Sequence, residues 1–112
     1  MKKLNVLFIC SRNQWRSPTA ETICRDHPKL NTRSAGTASN ARRNLQANDI
    51  QWADVIIVME EEHKLRIKAN FKHEIGYKSV HILDIPDNYG YMDNELIELL
   101  KTSVPFLLGL EK

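Results

Sequence analysis

Short apolar runs alternate with polar and amphipathic stretches along the whole chain. The runs are rich in β-branched residues or bounded by polar residues and glycine, which is typical of buried strands. Four of them predict β-strands, at residues 4–9, 30–35, 53–59 and 79–83. The stretches between and after them predict helices, at residues 17–27, within 39–50, at 60–71 and at 95–108.

This alternation of strand and helix favours a parallel sheet with helices on both faces. We therefore predict a three-layer α/β sandwich with four parallel strands in the order 2-1-3-4. The 112 residues form a single domain, 1–112, which is a usual domain size. Right-handed crossovers would bring the carboxyl ends of the strands to one edge, where ligands bind in such folds.

The composition limits the kinds of partner that the protein is expected to bind. Hydrophobic residues make up 42% and charged residues 27%, as in an ordinary globular protein, and the net charge of +2 gives no sign of nucleic-acid binding. The first apolar run is too short for a signal sequence or a membrane span, so no membrane association is expected. Two cysteines do not make a disulfide framework, which favours a reducing cytoplasm. A monomer is expected.

Cys10 and Arg16 frame a polar loop between the first strand and the first helix. Ser17 is a good N-cap and Pro18 suits the first helical position. A thiol at a helix N-terminus beside a cation ionises more easily, and the amides of a loop can surround an anion. The planar guanidinium of an arginine fits two phosphoryl oxygens at once. The arrangement predicts phosphate-ester chemistry through Cys10.

The loop at residues 84–94 lies at the same predicted edge of the sheet. Cleavage of a phosphate ester needs a proton for the leaving oxygen, which a carboxylic acid can supply. Asp87 is the first candidate for this acid and Asp84 is the reserve. The four histidines show no compact ligand spacing, so no metal and no other cofactor is expected. His63, after three glutamates, is expected at the surface.

Four stretches resemble motifs of the low-molecular-weight protein tyrosine phosphatases. Residues 10–21 resemble the family's Cys-x5-Arg-Ser loop, which has asparagine at its third variable position and Pro-x-Ala-Glu after it. Residues 34–37 are similar to its Ser-Ala-Gly-Thr stretch, and 54–60 to its Asp-x-Ile-x-x-Met-Asp/Glu strand. Residues 85–90 resemble its Asp-Pro-Tyr loop. The matches follow one another in the family's order over nearly the whole chain.

The resemblance implies a phosphomonoesterase that hydrolyses a phosphorylated protein or a small phosphate ester through a phosphocysteine. It implies Cys10 as the nucleophile, Arg16 as the phosphate binder and Asp87 as the general acid. The other residues implied at the site stabilise the loop, contact the thiolate, bind phosphate or substrate, or form a wall for an aromatic leaving group: Ser11, Arg12, Asn13, Gln14, Trp15, Ser17 and Tyr89.

Several positions depart from the family pattern and identify a shortened, divergent branch. Arg12 stands where glycine is common, and Trp15 stands where many members have a second cysteine. Asn88 replaces the proline of the Asp-Pro-Tyr loop, and Asn40 stands near the place of a histidine that supports the loop asparagine.

Three other functions fit parts of the pattern. A phosphate-recognition module without turnover agrees with the altered loop. An arsenate reductase of the same architecture would need further cysteines after Cys24, and the sequence has none. A phosphocysteine carrier agrees with a cysteine at a strand end, but Arg16 and the loop around Asp87 disfavour it.

Overall fold

A computed structural model describes residues 3–110. Its strands are β1 (Leu4–Cys10), β2 (Leu30–Gly36), β3 (Val55–Val58) and β4 (Ser79–Ile82). Its helices are α1 (Arg16–Cys24), α2 (Ala47–Trp52), α3 (Glu61–Asn70), α4 (Lys72–Ile75) and α5 (Asn94–Leu107). Within residues 3–110, every helix is too short or too polar to cross a membrane.

The four strands form one parallel sheet in the order β2-β1-β3-β4, which confirms the predicted topology. The central strand β1 pairs with β2 from Leu4 opposite Leu30 to Cys10 opposite Gly36. On its other side, β1 pairs with β3. Cys10 therefore lies at the carboxyl edge of one of the two inner strands, where buried parallel strands present their ends to ligands.

Helices cover both faces of the sheet. Alternate side chains of β1 point to opposite faces, and since nearly all of them are apolar, both faces need cover from water. Val6, Phe8 and Cys10 pack in one cluster with residues of α1 and α5. Leu7 and Ile9 pack in a second cluster with residues of α2, α3 and α4. All five of these side chains are buried, which explains the nearly continuous apolar run that predicted the strand.

The start of α1 differs from the prediction. The helix begins at Arg16 with Trp15 in the N-cap position, and no side chain caps it. The prediction of Ser17 as N-cap was wrong because this serine lies one residue inside the helix and points to the loop. Its hydroxyl contacts Cys10 and Asn13, so it is engaged elsewhere.

The other helices also differ in part. Within the predicted 39–50 segment, only its last residues are helical, in α2. Before α2 the chain instead bonds through its backbone to the start of the loop that Cys10 and Arg16 frame: Thr37 N to Cys10 O at 3.0 Å, Ala38 N to Ser11 O at 2.9 Å, and Arg42 N to Arg12 O at 2.8 Å. The predicted helix at 60–71 is α3, and the short α4 after it was not predicted.

Gly36 allows this segment to approach the loop. A Cβ atom at this position would lie 2.5 Å from Ser11 O, 2.7 Å from Ala41 Cβ and 3.0 Å from Arg12 C. The nearest obstacle is backbone, which cannot move aside as a flexible side chain would. Glycine at the end of β2 is therefore needed for the close contact between two chain segments.

We predict that Gly36→Ala lowers the free energy of unfolding by about 1–3 kcal/mol, as overpacking of a tight contact does. Urea denaturation of the wild type and the variant measures this difference. Gly90→Ala is the matched control, because no heavy atom lies within 4 Å of its added Cβ. Equal stability of Gly36→Ala and Gly90→Ala would contradict the predicted clash.

Candidate active site

The structure brings most of the predicted site residues together around Cys10. The thiol ends β1, the loop curls over it, and Arg16 opens α1. A small pocket at this place is lined by Cys10, Arg12, Gln14, Trp15, Arg16 and Asp87. Asn13 and Ser17 are fully buried beneath the loop, and Ser11 is half-buried. Trp15 is exposed at the pocket's rim.

A chain of hydrogen bonds leads to the sulfur of Cys10. Asn13 Nδ2 donates to Ser17 Oγ at 2.9 Å, and Ser17 Oγ lies 2.9 Å from Cys10 Sγ. Either the serine oxygen or the sulfur could be the donor in this second contact. A thiolate has no hydrogen to give, so in that form the Ser17 hydroxyl would be the donor.

Asn13 has an unusual backbone conformation, with φ at 55°. Asparagine tolerates this left-handed region better than most residues do. Arg42 Nε donates to Asn13 O at 2.9 Å and so holds the loop from outside. Asn13 Oδ1 is buried and has no hydrogen-bond partner within residues 3–110. Asn40, which stands near the place of the family's supporting histidine, is exposed and makes no bond to Asn13.

Arg16 is held firmly although it carries a charge and is only 2% exposed. Its Nη1 donates to Glu60 Oε1 at 2.6 Å and to Ile85 O at 2.8 Å. Among the described residues these are the only hydrogen bonds of the guanidinium, and Nε and Nη2 make none, although the Asp87 carboxylate lies 3.7 Å from Nε. A guanidinium fixed on one side and open on the other suits a phosphoryl group.

Asp87 lies on the open side of this guanidinium. Its Oδ1 is 3.7 Å from Arg16 Nε, and the side chain is 53% exposed. Asp84, the reserve candidate, is exposed, has φ 59°, and is not among the residues that line the pocket. Of the two carboxylates, Asp87 is the one that the fold places beside Cys10.

Tyr89 does not line this pocket. Its ring packs against the cluster formed with α1 and α5, and its hydroxyl donates to Glu95 Oε2 at 3.1 Å. That hydrogen bond to the carboxylate raises the pKa of Tyr89. The structure therefore places the tyrosine beside the site, and its role as a wall for the leaving group stays a prediction.

His63 belongs to the site, although the sequence analysis expected it at the surface. The expectation was wrong, since the residue is fully buried. Its Nδ1 accepts from Glu60 N at 3.0 Å, so Nε2 carries the hydrogen and donates to Ser11 Oγ at 2.9 Å. The imidazole thus links the catalytic loop to the residue that holds Arg16. The spacing of Glu60 and His63, three residues apart at a helix start, could have indicated such a capping role.

Glu60, Glu62 and His63 bring potential metal ligands within 4.8 Å of one another. Both nitrogens of His63 are engaged in hydrogen bonds, and Glu60 is paired with Arg16. These contacts explain the cluster without a metal ion.

Solved structures share this arrangement of strands and helices. A low-molecular-weight phosphotyrosine phosphatase from Vibrio cholerae (VcLMWPTP-2) matches with a TM-score of 0.77 at 20% identity, over 95% of this chain and 95% of its own. The YwlE arginine phosphatase from Geobacillus stearothermophilus gives 0.74 at 22% identity, over 95% and 94%. The chain has the low-molecular-weight phosphatase fold.

The tyrosine phosphatase Wzb from Escherichia coli K30 has the same phosphatase fold, with a TM-score of 0.74 at 21% identity over 96% of this chain and 98% of its own. No protein-family model and no curated protein matches the sequence. Since all these identities are below 25%, the likeness shows the fold and leaves the reaction to be argued from the site.

The burial of His63 predicts a pH dependence of stability. Burial, and after it the positive charge of Arg16, lowers the pKa of His63 below its ordinary value of 6.5. The unfolded chain therefore takes up a proton at a higher pH than the folded chain does. The contribution of neutral, buried His63 to the free energy of unfolding is complete above pH 6.5. It falls as the pH drops towards the lowered pKa, by at most about 1.4 kcal/mol per pH unit.

We expect the stability advantage of the wild type over His63→Gln to shrink between pH 7.5 and pH 5.5. Glutamine retains one donor and one acceptor but does not titrate. Urea denaturation at several pH values measures the advantage, and His73→Gln, at an exposed histidine, is the control. An advantage that stays constant over this range would contradict the assignment to His63.

Proposed function

We propose that the protein is a cysteine-dependent phosphomonoesterase of the protein tyrosine phosphatase type, with a phosphocysteine intermediate on Cys10. The observation that carries this proposal is the pair of groups at the end of β1. Ser17 Oγ lies 2.9 Å from the sulfur of Cys10, and the guanidinium of Arg16 makes no hydrogen bond through Nε or Nη2 within residues 3–110. The Ser17 hydroxyl suits a Cys10 thiolate, and the Arg16 guanidinium suits the phosphoryl group that the thiolate would attack.

In the first step, the Cys10 thiolate attacks the phosphorus atom. The S–P bond forms as the bond from phosphorus to the leaving oxygen breaks, and that oxygen takes the bonding electron pair. Protonated Asp87 gives its proton to the leaving oxygen, which would otherwise depart as a poor leaving group. Arg16 and the loop amides bind the equatorial phosphoryl oxygens and offset their charge.

In the second step, water attacks the phosphorus atom of the phosphocysteine. The Asp87 carboxylate, deprotonated by the first step, accepts a proton from this water. The S–P bond breaks, inorganic phosphate leaves, and the electron pair returns to sulfur as a thiolate. The Ser17 hydroxyl stabilises that thiolate as a leaving group, so the same contact serves both steps.

Structures with the same fold support this chemistry. Wzb from Escherichia coli K30 was solved in complex with phosphate. A cysteine-to-serine variant of YwlE arginine phosphatase carries a phosphorylated active-site serine. For this chain, we propose a phosphorylated residue of a protein as the substrate, or else a small phosphate ester. A reducing cytoplasm would preserve the thiol.

The thiols also weigh against an arsenate reductase. Burial raises the pKa of Cys24 to about 11, so this thiol stays protonated at neutral pH. Cys24 also lies at the far end of α1 from the catalytic loop. An arsenate reductase would need a second reactive thiol near Cys10 to pass electrons, and Cys24 is poorly suited to that role.

Hydrolysis of p-nitrophenyl phosphate tests the proposal. We expect Cys10→Ser to abolish turnover and Arg16→Ala to lower kcat/KM at least about 100-fold, the scale for losing a charge-stabilising donor. Asp87→Asn should lower kcat modestly with p-nitrophenyl phosphate and by about 100-fold or more with phenyl phosphate, whose leaving oxygen needs the proton.

Asp84→Asn is the matched control, since it removes the neighbouring carboxylate outside the pocket. If Asp84→Asn showed the dependence on the leaving group and Asp87→Asn did not, the assigned acid would be wrong. Equal hydrolysis by the wild type and Cys10→Ser would overturn the proposed reaction. Vanadate binding without turnover by the wild type would instead identify a phosphate-recognition module.

A further inference from the structure

A second cleft opens beside the pocket at Cys10. Gln14 lines both, so the two spaces adjoin at the catalytic loop. The cleft has a volume of about 340 Å³ and lies between α1 and the loop before α5, with Arg25, Arg42 and Tyr91 on its walls. This volume is that of a small ligand site. A substrate whose phosphoryl group lies on Cys10 would thus extend into this cleft.

Positive charge dominates this region. Arg25 and Arg42 are exposed in the cleft, and Arg12 is exposed at the adjoining pocket. None of the three has a carboxylate within 4.0 Å among residues 3–110. Other arginines of the chain are paired with acids: Arg16, Arg33 and Arg43. Arg12 and Arg42 at the loop after β1, and Arg25 at the carboxyl end of α1, therefore have their charge available to a ligand.

Glu21 also lines the cleft, and its negative charge opposes the two arginines there. Its carboxylate accepts a hydrogen bond from Ser34 Oγ, which holds it towards β2. The arginines outnumber it, so the cleft has a net positive charge. Asp87, on the far side of the adjoining pocket, is paired with Arg16.

Arg42 is fixed in place rather than free in solvent. Its backbone nitrogen donates to Arg12 O at 2.8 Å, and its Nε donates to Asn13 O at 2.9 Å. Its terminal nitrogens make no hydrogen bond within residues 3–110. The catalytic loop thus positions a cationic group beside the phosphoryl site, and less side-chain entropy is lost when an anion binds.

Tyr91 adds an apolar wall. Its hydroxyl lies 2.9 Å from Thr22 Oγ1, and Met92 N donates to Thr19 Oγ1 at 2.9 Å, so this part of the loop is attached to α1. The ring is 53% exposed and faces the cleft with Pro18. An open cleft lined by two arginines and by the apolar surfaces of Tyr91 and Pro18 suits a peptide segment that carries an acidic side chain.

We infer that this cleft binds an acidic residue next to the phosphorylated residue of a protein substrate, through Arg25 and Arg42. The inference rests on the proposed phosphatase function and adds a substrate preference to it. The phosphoryl group on the catalytic loop and a carboxylate in the cleft would be bound together, and the two arginines would select acidic over neutral neighbours.

Two phosphotyrosyl peptides test this, identical except for glutamate or glutamine beside the phosphotyrosine. We expect the wild type to hydrolyse the acidic peptide with the higher kcat/KM. Arg25→Gln should reduce the ratio of the two kcat/KM values about two- to five-fold, the range for one exposed ion pair. Raising the salt concentration should reduce the ratio as well.

Lys68→Gln is the control, because it removes the same charge from an exposed position on α3, across the sheet. An equal effect of Lys68→Gln and Arg25→Gln would show a general field and overturn the cleft assignment. Equal kcat/KM values for both peptides with the wild type would overturn it too, while Cys10-dependent turnover of p-nitrophenyl phosphate would leave the proposed function intact.

Peptide binding to Cys10→Ser, measured by fluorescence anisotropy, keeps the inference testable if neither peptide is hydrolysed. The acidic peptide should bind more tightly, and adding Arg25→Gln should reduce that preference by the same two- to five-fold. Equal affinity for both peptides, or binding of neither, would contradict an acidic subsite for phosphopeptides.

Discussion

The buried guanidinium of Arg16 is the contact on which the site depends. It joins the start of α1 to Glu60 after β3 and to Ile85 O after β4. A charge buried without partners is strongly destabilising, and breaking such a pair costs about 3–5 kcal/mol. The three segments are therefore held at one edge of the sheet by a group that also lines the pocket at Cys10. In the proposed function, stability and chemistry would depend on the same residue.

His63 extends that constraint to the other end of the catalytic loop. It accepts a bond from the backbone of Glu60 and donates to Ser11, so the partner of Arg16 and the second residue of the loop are linked through one imidazole. Residues 37–42 brace the loop from the side of β2 by three backbone bonds. The loop after β1 is thus shaped by contacts from the segments that follow β2 and β3.

The strands and the loop between Cys10 and Arg16 could be predicted from local sequence. Buried parallel strands are apolar throughout, and the spacing of Cys10 and Arg16 is a local feature. It did not predict the path of residues 37–46, since hydrogen bonds to a distant loop replace the helix there. The burial of His63 was also missed, because no apolar spacing marks it. Arg25 and Arg42 lie 17 positions apart, and only the fold places them in one cleft.

The bond from Arg16 to Ile85 O has a consequence for the timing of the reaction. Ile85 lies two residues before Asp87, and its own nitrogen donates to Met59 O at 2.8 Å. The residue that begins the segment with Asp87 is thus docked on both sides by hydrogen bonds. Enzymes that close a lid over the substrate often wait for it to reopen. For the proposed reaction, the two bonds of Ile85 would hold the start of the Asp87 segment in place without the closing of a lid.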